Sequence, residues 1–341
     1  MTRRLDPALQ LAVPAALVVA VGIAASLASR SNEIHYLRAL VSVAIVVAIY
    51  VFVGNSGVLS FGQVSFVAVG AFAAGVLTVP TALKASVLPG LFPVLRDNSI
   101  GDLTSLALAA AVGGLFAFLV GLPLMRLTGL AAGIATFAIL EITHNLLREW
   151  TKIGPGATTL SLVPETTGPL RATLGALLVI GVAFAYDRSR WGRMLRATRD
   201  DPAVAQAAGI HVHRQRLLAF TLSGALAGLA GGLLVHMLGS ITTGQVYLEL
   251  TFITLAMLVV GGMTSLWGAV LGALAVSGLD SFLAKAEDGV DIGFTLTVPT
   301  GTRLVVVGAL MALVLIVRPS GLTGGREVRL PRWRRRAEAA A

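Results

Sequence analysis

The chain contains no cysteine. That absence excludes disulfides, thiolate metal sites and cysteine nucleophiles together. Charge is scarce as well. Asp, Glu, Lys and Arg make up 13% of the 341 residues, where soluble domains run near 25%. Acids are the scarcer sign, 17 against 26 basic residues, for a net charge of +9. No Gly-x-x-x-x-Gly-Lys-Ser/Thr loop occurs, so the chain does not bind ATP by that motif. No Ser-His-Asp arrangement or nucleophile elbow stands out. What the chain does have is apolar bulk: 56% hydrophobic residues, 38 glycines and a mean hydropathy of +0.85. This composition excludes a soluble enzyme, a disordered chain and a small secreted domain, and predicts an all-α polytopic membrane protein. The excess of basic residues then belongs to cytoplasmic loops rather than to a nucleic-acid surface.

A bilayer core takes roughly 20 apolar residues of helix. On that ruler the sequence predicts ten spans, near 8–28, 37–53, 64–80, 103–125, 127–147, 172–187, 215–238, 246–261, 266–284 and 302–318. The first is expected to be an uncleaved helix, because its apolar run exceeds that of a signal peptide and further spans follow at once. The spans at 246–261 and 302–318 are short enough to leave full crossing open. Ten spans put both termini on one side. With that side cytoplasmic, the inner segments hold 17 basic and six acidic residues, a net +11 against −2 for the rest. The asymmetry places both termini inside. The expected organisation is one transmembrane domain over 1–325, with a cytoplasmic loop at 188–216 and a loose basic tail at 326–341.

Two places interrupt the apolar runs. Gly54–Gln63 carries three glycines with Asn55, Ser56, Ser60 and Gln63, and Gly261–Gly268 carries three more with Thr264 and Ser265. Irregular backbone at membrane depth survives only inside protein or facing water, and paired glycine breaks point to a transport path. Ordinary tight turns between helices are the competing reading. The candidate path residues are Asn55, Gly57, Ser60, Gln63 and Ser265, with Thr136 and Glu141 from the fifth span. A carboxylate at membrane depth is a functional candidate, although Glu141 can equally be solvated near an interface. Thr136 and Glu141, five residues apart, point about 140° apart on a helix, which makes Thr136 the better path candidate. Glu141-x-x-His144 has a bundle-metal spacing but lacks a second pair, so no metal is expected. His236 reads as a hydrogen-bonded core histidine, and Gly224, Gly228 and Gly232 as a close helix-packing face.

The polar loop Asp187–Arg216 is the most informative soluble segment. Asp201 before Pro202 is an N-cap with proline at the first helical position, and Gly209 is a stop signal. The short alanine-rich helix between them is too short to stand alone in water. A protein groove suits its small apolar face better than lipid headgroups do.

Several segments then resemble one family. Gly57–Phe72, Leu127–Ile142, Trp191–Ala197, Asp200–Ile210, Leu218–Phe220, Val260–Gly268 and Arg318–Leu322 are similar, in order, to the LivM-type permease of branched-chain amino acid ABC importers. The resemblance implies a permease in the bacterial inner membrane. Its implied partners are a second related permease, two separate ATP-binding subunits and an extracytoplasmic solute-binding protein, with no cofactor and no catalysis by the chain itself. It makes Pro202–Gly209 the segment that docks on the ATPase, and Arg196, Asp200, Asp201, Pro202, Ala207 and Gly209 the expected coupling residues. The expected solute is a branched-chain or other apolar amino acid. Urea or another small polar solute, or a stand-alone secondary transporter, remain alternatives. The segment 79–102, with Pro80, Pro89 and Pro93, is longer than the family pattern implies, and Gly154–Thr158 matches it only loosely.

Overall fold

The computed structural model describes residues 5–288, 290–291, 295–296, 301–318, 320–325 and 327. The expected tail lies outside the described residues apart from Glu327. The helices run in order α1 (Leu5–Leu27), α2 (Arg30–Ser56), α3 (Gln63–Thr78), α4 (Thr81–Val87), α5 (Pro93–Arg96), α6 (Asp102–Leu124) and α7 (Gly129–Glu149). They continue with α8 (Pro169–Arg188), α9 (Arg190–Asp200), α10 (Pro202–Ala207), α11 (Val212–Leu238), α12 (Leu248–Gly261), α13 (Leu266–Asp288) and α14 (Thr302–Val317). A two-residue antiparallel pair, Val290–Asp291 with Thr295–Leu296, lies between α13 and α14.

Each of the ten expected spans falls on one helix. Among the described residues eight helices are long and apolar enough to cross a membrane. The third span is α3, which bends by 119° into α4. The tenth, α14, has 16 residues. Helix α2 begins seven residues before the expected start. Its first turns carry Arg30, Glu33 and Arg38, and a helix needs no apolar side chains once it leaves hydrocarbon.

Helix α2 is the axis of the bundle. From Leu40 to Phe52 nearly every side chain is buried, the pattern of a helix apolar all round. It packs against α8, α11 and α13 and, at its C-terminal end, α9. Helix α1 and the segment after α14 both make contacts at this end. Arg188, closing α8, donates to Gln10 of α1 at 2.6 Å, and Leu322 N donates to Val260 O at 2.8 Å. This is the basic end of the molecule, where α9 and α10 lie.

The tightest packing joins α3, α6 and α11. A Cβ on Gly228 would lie 2.3 Å from Ala109 O, and one on Gly70 would lie 2.2 Å from Gly228 O. Gly231 approaches Val67 O as closely, and Gly224 faces Ala117 and Gly113. The spaced glycines of α11 thus serve two neighbours at once, α6 through 224, 228 and 232 and α3 through 231. Phe220 stands at the head of this seam, edge-on to Phe52 at 5.0 Å and to Phe66 at 5.2 Å.

The opposite end is closed by loops. Leu160 and Ile241 exchange two backbone hydrogen bonds of 2.9 Å. The long 79–102 segment folds over itself, with the fully buried Lys84 donating to Leu95 O at 2.8 Å. His236 is a core histidine, bonded to Ser105 Oγ at 3.0 Å and Pro164 O at 3.1 Å.

Because Gly228 meets backbone rather than movable side chains, a larger residue there forces helices apart. Gly228→Val is expected to destabilise the folded protein by about 3 kcal/mol, the upper range for overpacking. Thermal unfolding in detergent checks this; an unchanged Tm would show that α6 and α11 separate freely.

Candidate functional site

The first break begins where α2 ends. Gly57 caps α2 in the left-handed region, φ +70°, and its N–H donates to Val53 O at 3.0 Å. A side chain here would be strained, and its Cβ would lie 2.6 Å from Arg199 Cγ. The chain then turns back into the bundle. Gln63, which opens α3, accepts from Ser223 Oγ at 2.9 Å, and the same hydroxyl lies 2.7 Å from Ala48 O. Ala48 is eight residues before Ser56, so Gln63 sits roughly 12 Å inward of the end of α2. Residues 58–62 cover that depth without helical hydrogen bonds, which is more than a tight turn. They lean on α7: Phe61 N donates to Thr136 Oγ1 at 3.2 Å, and a Cβ on Gly62 would lie 2.6 Å from Thr136 O.

Three buried polar groups cluster along this return. Ser60, Gln63 and Ser65 are at most 1% exposed. Ser60 Oγ, Gln63 Nε2 and Ser65 Oγ have no hydrogen-bond partner among the described residues. Leaving such a group dry costs about 1–3 kcal/mol, so the break holds polar capacity that its own fold does not use.

The end of α2 is clamped by α8 and α9. The Asp187 carboxylate accepts from Tyr50 Oη at 2.8 Å and from Asn55 Nδ2 at 2.7 Å. Arg196 donates to Asn55 Oδ1 and to Asp187 O, both at 2.7 Å, and lies 3.7 Å from the Asp187 carboxylate. Arg199 donates to Gly54 O at 2.9 Å. Two arginines thus meet the last carbonyls and the last side chains of α2, where a helix dipole favours cations. Asn55, expected on the path, and Arg196, expected in coupling, are partners in one network.

The second break lies against the first: a Cβ on Gly54 would be 2.5 Å from Met263 O. Ser265 is fully buried, and its Oγ accepts from Gly268 N at 3.1 Å, capping α13. Glu327 adds to that cap, accepting from Leu266 N at 2.5 Å and Trp267 N at 3.4 Å. Burial pushes the Glu327 carboxyl above its ordinary value, while these N–H groups and the Ser265 hydroxyl hold it down. Thr323 closes the loop by donating from Oγ1 to Gly261 O at 2.9 Å.

From this junction α10 projects outward. The Asp201 carboxylate accepts from Ala203 N at 2.8 Å and Val204 N at 3.1 Å, and Gly209 ends the turn at φ +81°. Ala205 is buried, but Val204 is 64% exposed and Ala207 is exposed beside it. Asp200 pairs with its neighbour Arg199, at 3.5 Å, and is solvated.

Glu141 is not part of this cluster. It is partly exposed on α7, held by the Tyr247 hydroxyl and by Asn145 Nδ2 at 2.7 Å, while His144 stacks on Tyr247 at 4.0 Å. Thr136, on another face of the same helix, is buried against the break. Among the described residues no group of three His, Asp or Glu side chains could hold a metal. Tyr50, Asp187 and Arg199 are central to the junction yet were not among the expected residues. For Asp187 the signal was an acid closing a span at the head of an arginine run. Tyr50 had none.

Comparison with known proteins places this architecture. A family model described as "Branched-chain amino acid transport system / permease component" matches residues 33–315. The high-affinity branched-chain amino acid transport system permease protein LivM of Salmonella typhimurium is 26% identical over 306 residues, 80% of this chain and 65% of that protein. The probable branched-chain amino acid transport permease protein LivH of Methanocaldococcus jannaschii is 33% identical over 154 residues, 43% of this chain and 45% of that protein. The fructose import permease protein FrcC of Rhizobium meliloti is 37% identical over 106 residues, 29% of each chain. The chain therefore spans less than two thirds of the length of the LivH and LivM relatives named here. No solved structure matches the chain. A match over 283 residues, running from the charged start of α2 to the last turn of α14 and taking in both breaks and the α9–α10 arm, makes the chain a member of the branched-chain amino acid transport permease family.

Proposed function

We propose that this chain is the permease subunit of an ATP-driven importer of branched-chain or other apolar amino acids in the bacterial inner membrane. The basic end, with both termini and the α9–α10 arm, faces the cytoplasm, in keeping with the +11 against −2 charge asymmetry. Two ATP-binding subunits act there, a second related permease completes the path, and a solute-binding protein delivers to the opposite end. The chain performs no covalent chemistry and holds no cofactor. Residues 1–325 form the permease domain and 326–341 a basic tail.

The observation that carries this reading is the joint between α9–α10 and the first break. Helix α10 offers Val204 and Ala207 to a partner, and α9 is bonded through Arg196 and Arg199 to the last turn of α2. A partner that moves α10 therefore pulls on the residues where α2 gives way to the break. A carrier working alone would have no use for an exposed apolar helix on such a lever. Ser60, Gln63 and Thr136 are the path residues of choice, since the first two carry buried polar atoms without partners among the described residues and the third holds the break. Asn55, Gly57 and Ser265 shape the junction, while Glu141 stands apart. A sugar or other small polar solute is the second reading, favoured by the similarity to the fructose permease. Uptake by cells carrying the whole importer tests the choice: labelled leucine is expected to enter in an ATP-dependent manner and labelled fructose is not.

Ala207→Glu is expected to keep the chain in the membrane but strip the ATP-binding subunits from it on purification, because an unpaired charge in a docking groove costs several kcal/mol. Full co-purification with normal uptake would remove α10 from the interface.

Arg196→Ala is expected to leave those subunits attached and cut uptake about tenfold, the worth of hydrogen bonds to a charged group. Uptake equal to the parent protein would show that the joint transmits nothing.

Cysteine at Gln206 is expected to be shielded from an impermeant thiol reagent in intact cells, and cysteine at Thr159 to react. The chain's lack of native cysteine makes each label unique. The reverse pattern would invert the topology.

A further inference from the structure

At the basic end of the molecule a cavity of about 540 Å³ opens between α9 and the first turns of α11, beside the turn that follows α10. Its wall carries Arg190 and Trp191 from α9, and His211, Arg214, Gln215 and Leu218 from the start of α11. Among the described residues no acid lines it. The acids nearest in sequence are engaged elsewhere: Asp187 with Tyr50 and Asn55, Asp200 with Arg199, and Asp201 with the amides of α10. Arg190, His211 and Arg214 form no ion pair among the described residues. The Arg190 guanidinium lies over the Trp191 ring, 4.7 Å from its centre. Two large apolar side chains of the wall face outward, Trp191 at 38% exposure and Leu218 at 45%. Gln215 is buried, and its Oε1 has no hydrogen-bond partner among the described residues. The first amides of α11 have no helical acceptors, and its cap residue His211 supplies no side-chain hydrogen bond to them. The cavity thus joins unpaired positive charge, spare hydrogen-bonding groups and an apolar rim.

We propose that this cavity holds the headgroup of an anionic glycerophospholipid, of which phosphatidylglycerol is the simplest. Arg190 and Arg214 meet the phosphodiester from two different helices through charge-assisted hydrogen bonds. His211 and the first amides of α11 add donors to the same anion. An acyl chain runs past Leu218, and Trp191 stands where headgroups give way to hydrocarbon, the level that tryptophan favours. Three contrasts select this occupant. A free phosphate or nucleotide leaves Trp191 and Leu218 uncovered. A zwitterionic lipid brings an ammonium group to a wall without a carboxylate. A water-soluble protein reaches α10 but not Leu218, which lies six residues, roughly 9 Å, into a helix apolar enough to span the membrane. The bound lipid bridges α9 and α11, so the arm is held to the membrane surface as well as to α2. The inference does not depend on which solute the chain carries.

The test places the full chain, with and without its ATP-binding subunits, in phosphatidylcholine vesicles. The vesicles carry a trace of phosphatidylglycerol with a photoreactive diazirine on one acyl chain, and the modified residues are mapped by mass spectrometry. Modification is expected around Trp191 and Leu218, at about ten times the level given by the same probe built on phosphatidylcholine, which is within the worth of two arginines at a membrane surface. Unlabelled phosphatidylglycerol is expected to displace the probe, and inorganic phosphate is not. Arg190→Gln or Arg214→Gln, made singly, is expected to cut modification about fivefold, while Arg214→Lys, which keeps the charge, retains most of it. Modification of other segments by the phosphatidylcholine probe is expected to be unchanged in these variants, which reports an intact fold. Raising the salt from about 0.1 M to 1 M, which shortens electrostatic range from about 10 Å to 3 Å, is expected to weaken modification of the unsubstituted chain as well, so the outcome does not hang on the variants. Equal modification by the two probes, or no loss with either glutamine or with salt, would show ordinary boundary lipid and overturn the site. Displacement by inorganic phosphate would make it a site for a soluble anion. Loss of modification on adding the ATP-binding subunits would show that a protein covers it. Each of these results overturns the proposal, and none of them touches the transport reading.

Discussion

A peptide group in hydrocarbon has no water to turn to, and each unsatisfied one costs several kcal/mol. Residues 58–62 leave helical geometry while running roughly 12 Å inward beside α2, so this cost governs the architecture around them. The protein meets it by wrapping the break. Thr136 supplies an acceptor to Phe61 N, and α7 lies against Gly62. The glycines of α11 let α3 and α6 close in from the other side. Phe52, Phe66 and Phe220 fill the space just inside the break with interlocking edges. The tight seam and the loose segment are two parts of one solution: α3 can begin at depth because backbones elsewhere approach to contact distance.

The same constraint explains the polar cluster on α8 and α9. The last carbonyls and side chains of α2 have no further helical turn to bond with. Arg199 takes Gly54 O, Arg196 takes Asn55, and Asp187 orders both Asn55 and Tyr50. An isolated Asp187 among apolar helices would be costly. Here its oxygens are bonded, and an arginine lies beside it. The arm that would meet an ATPase is therefore attached to α2 by directional, charge-assisted bonds, which transmit a pull better than nonspecific apolar contact.

Much of this was legible in the sequence because membrane physics leaves few options. Roughly 20 apolar residues make a span, and all ten expected positions fall on helices. Glycine clusters between charge-free runs marked the irregular stretch 58–62 and the four-residue turn between α12 and α13, and Asp201-Pro202 with Gly209 marked α10 to within a residue. What escaped were partnerships across the chain. Tyr50 and Asp187 are 137 residues apart, and nothing in the local pattern around a tyrosine in a valine-rich helix announces a carboxylate partner. Ser265 looked like a path residue because a serine in a glycine break is also what a helix cap looks like. For Glu141 the sequence left membrane depth and a solvated interface equally open, because exposure depends on which face of α7 meets the bundle, and depth along a span does not give that.

Helix α2 ties the two ends of the molecule together. Arg38, near the start of α2, and Asn55, in the clamp, are 17 residues apart on one helix, roughly 26 Å. Between them lie no proline and no glycine before Gly54, the residues at which helices ordinarily kink. The helix is also gripped along its length by buried neighbours, and close-packed interiors move as units rather than stretching. A displacement of α9 that shifts Asn55 must then either break the hydrogen bonds that join Asn55, Arg196 and Asp187 or carry Arg38 with it. Those bonds involve ionised groups, so translation or rotation of α2 as a rod is the cheaper response. The stretch 58–62 just past its cap has no helical hydrogen bonds and is held instead by side-chain contact with Thr136. The change from helical bonding up to Ser56 to side-chain support just beyond it is therefore where α2 and the seam of α3, α6 and α11 are joined by the fewest backbone hydrogen bonds.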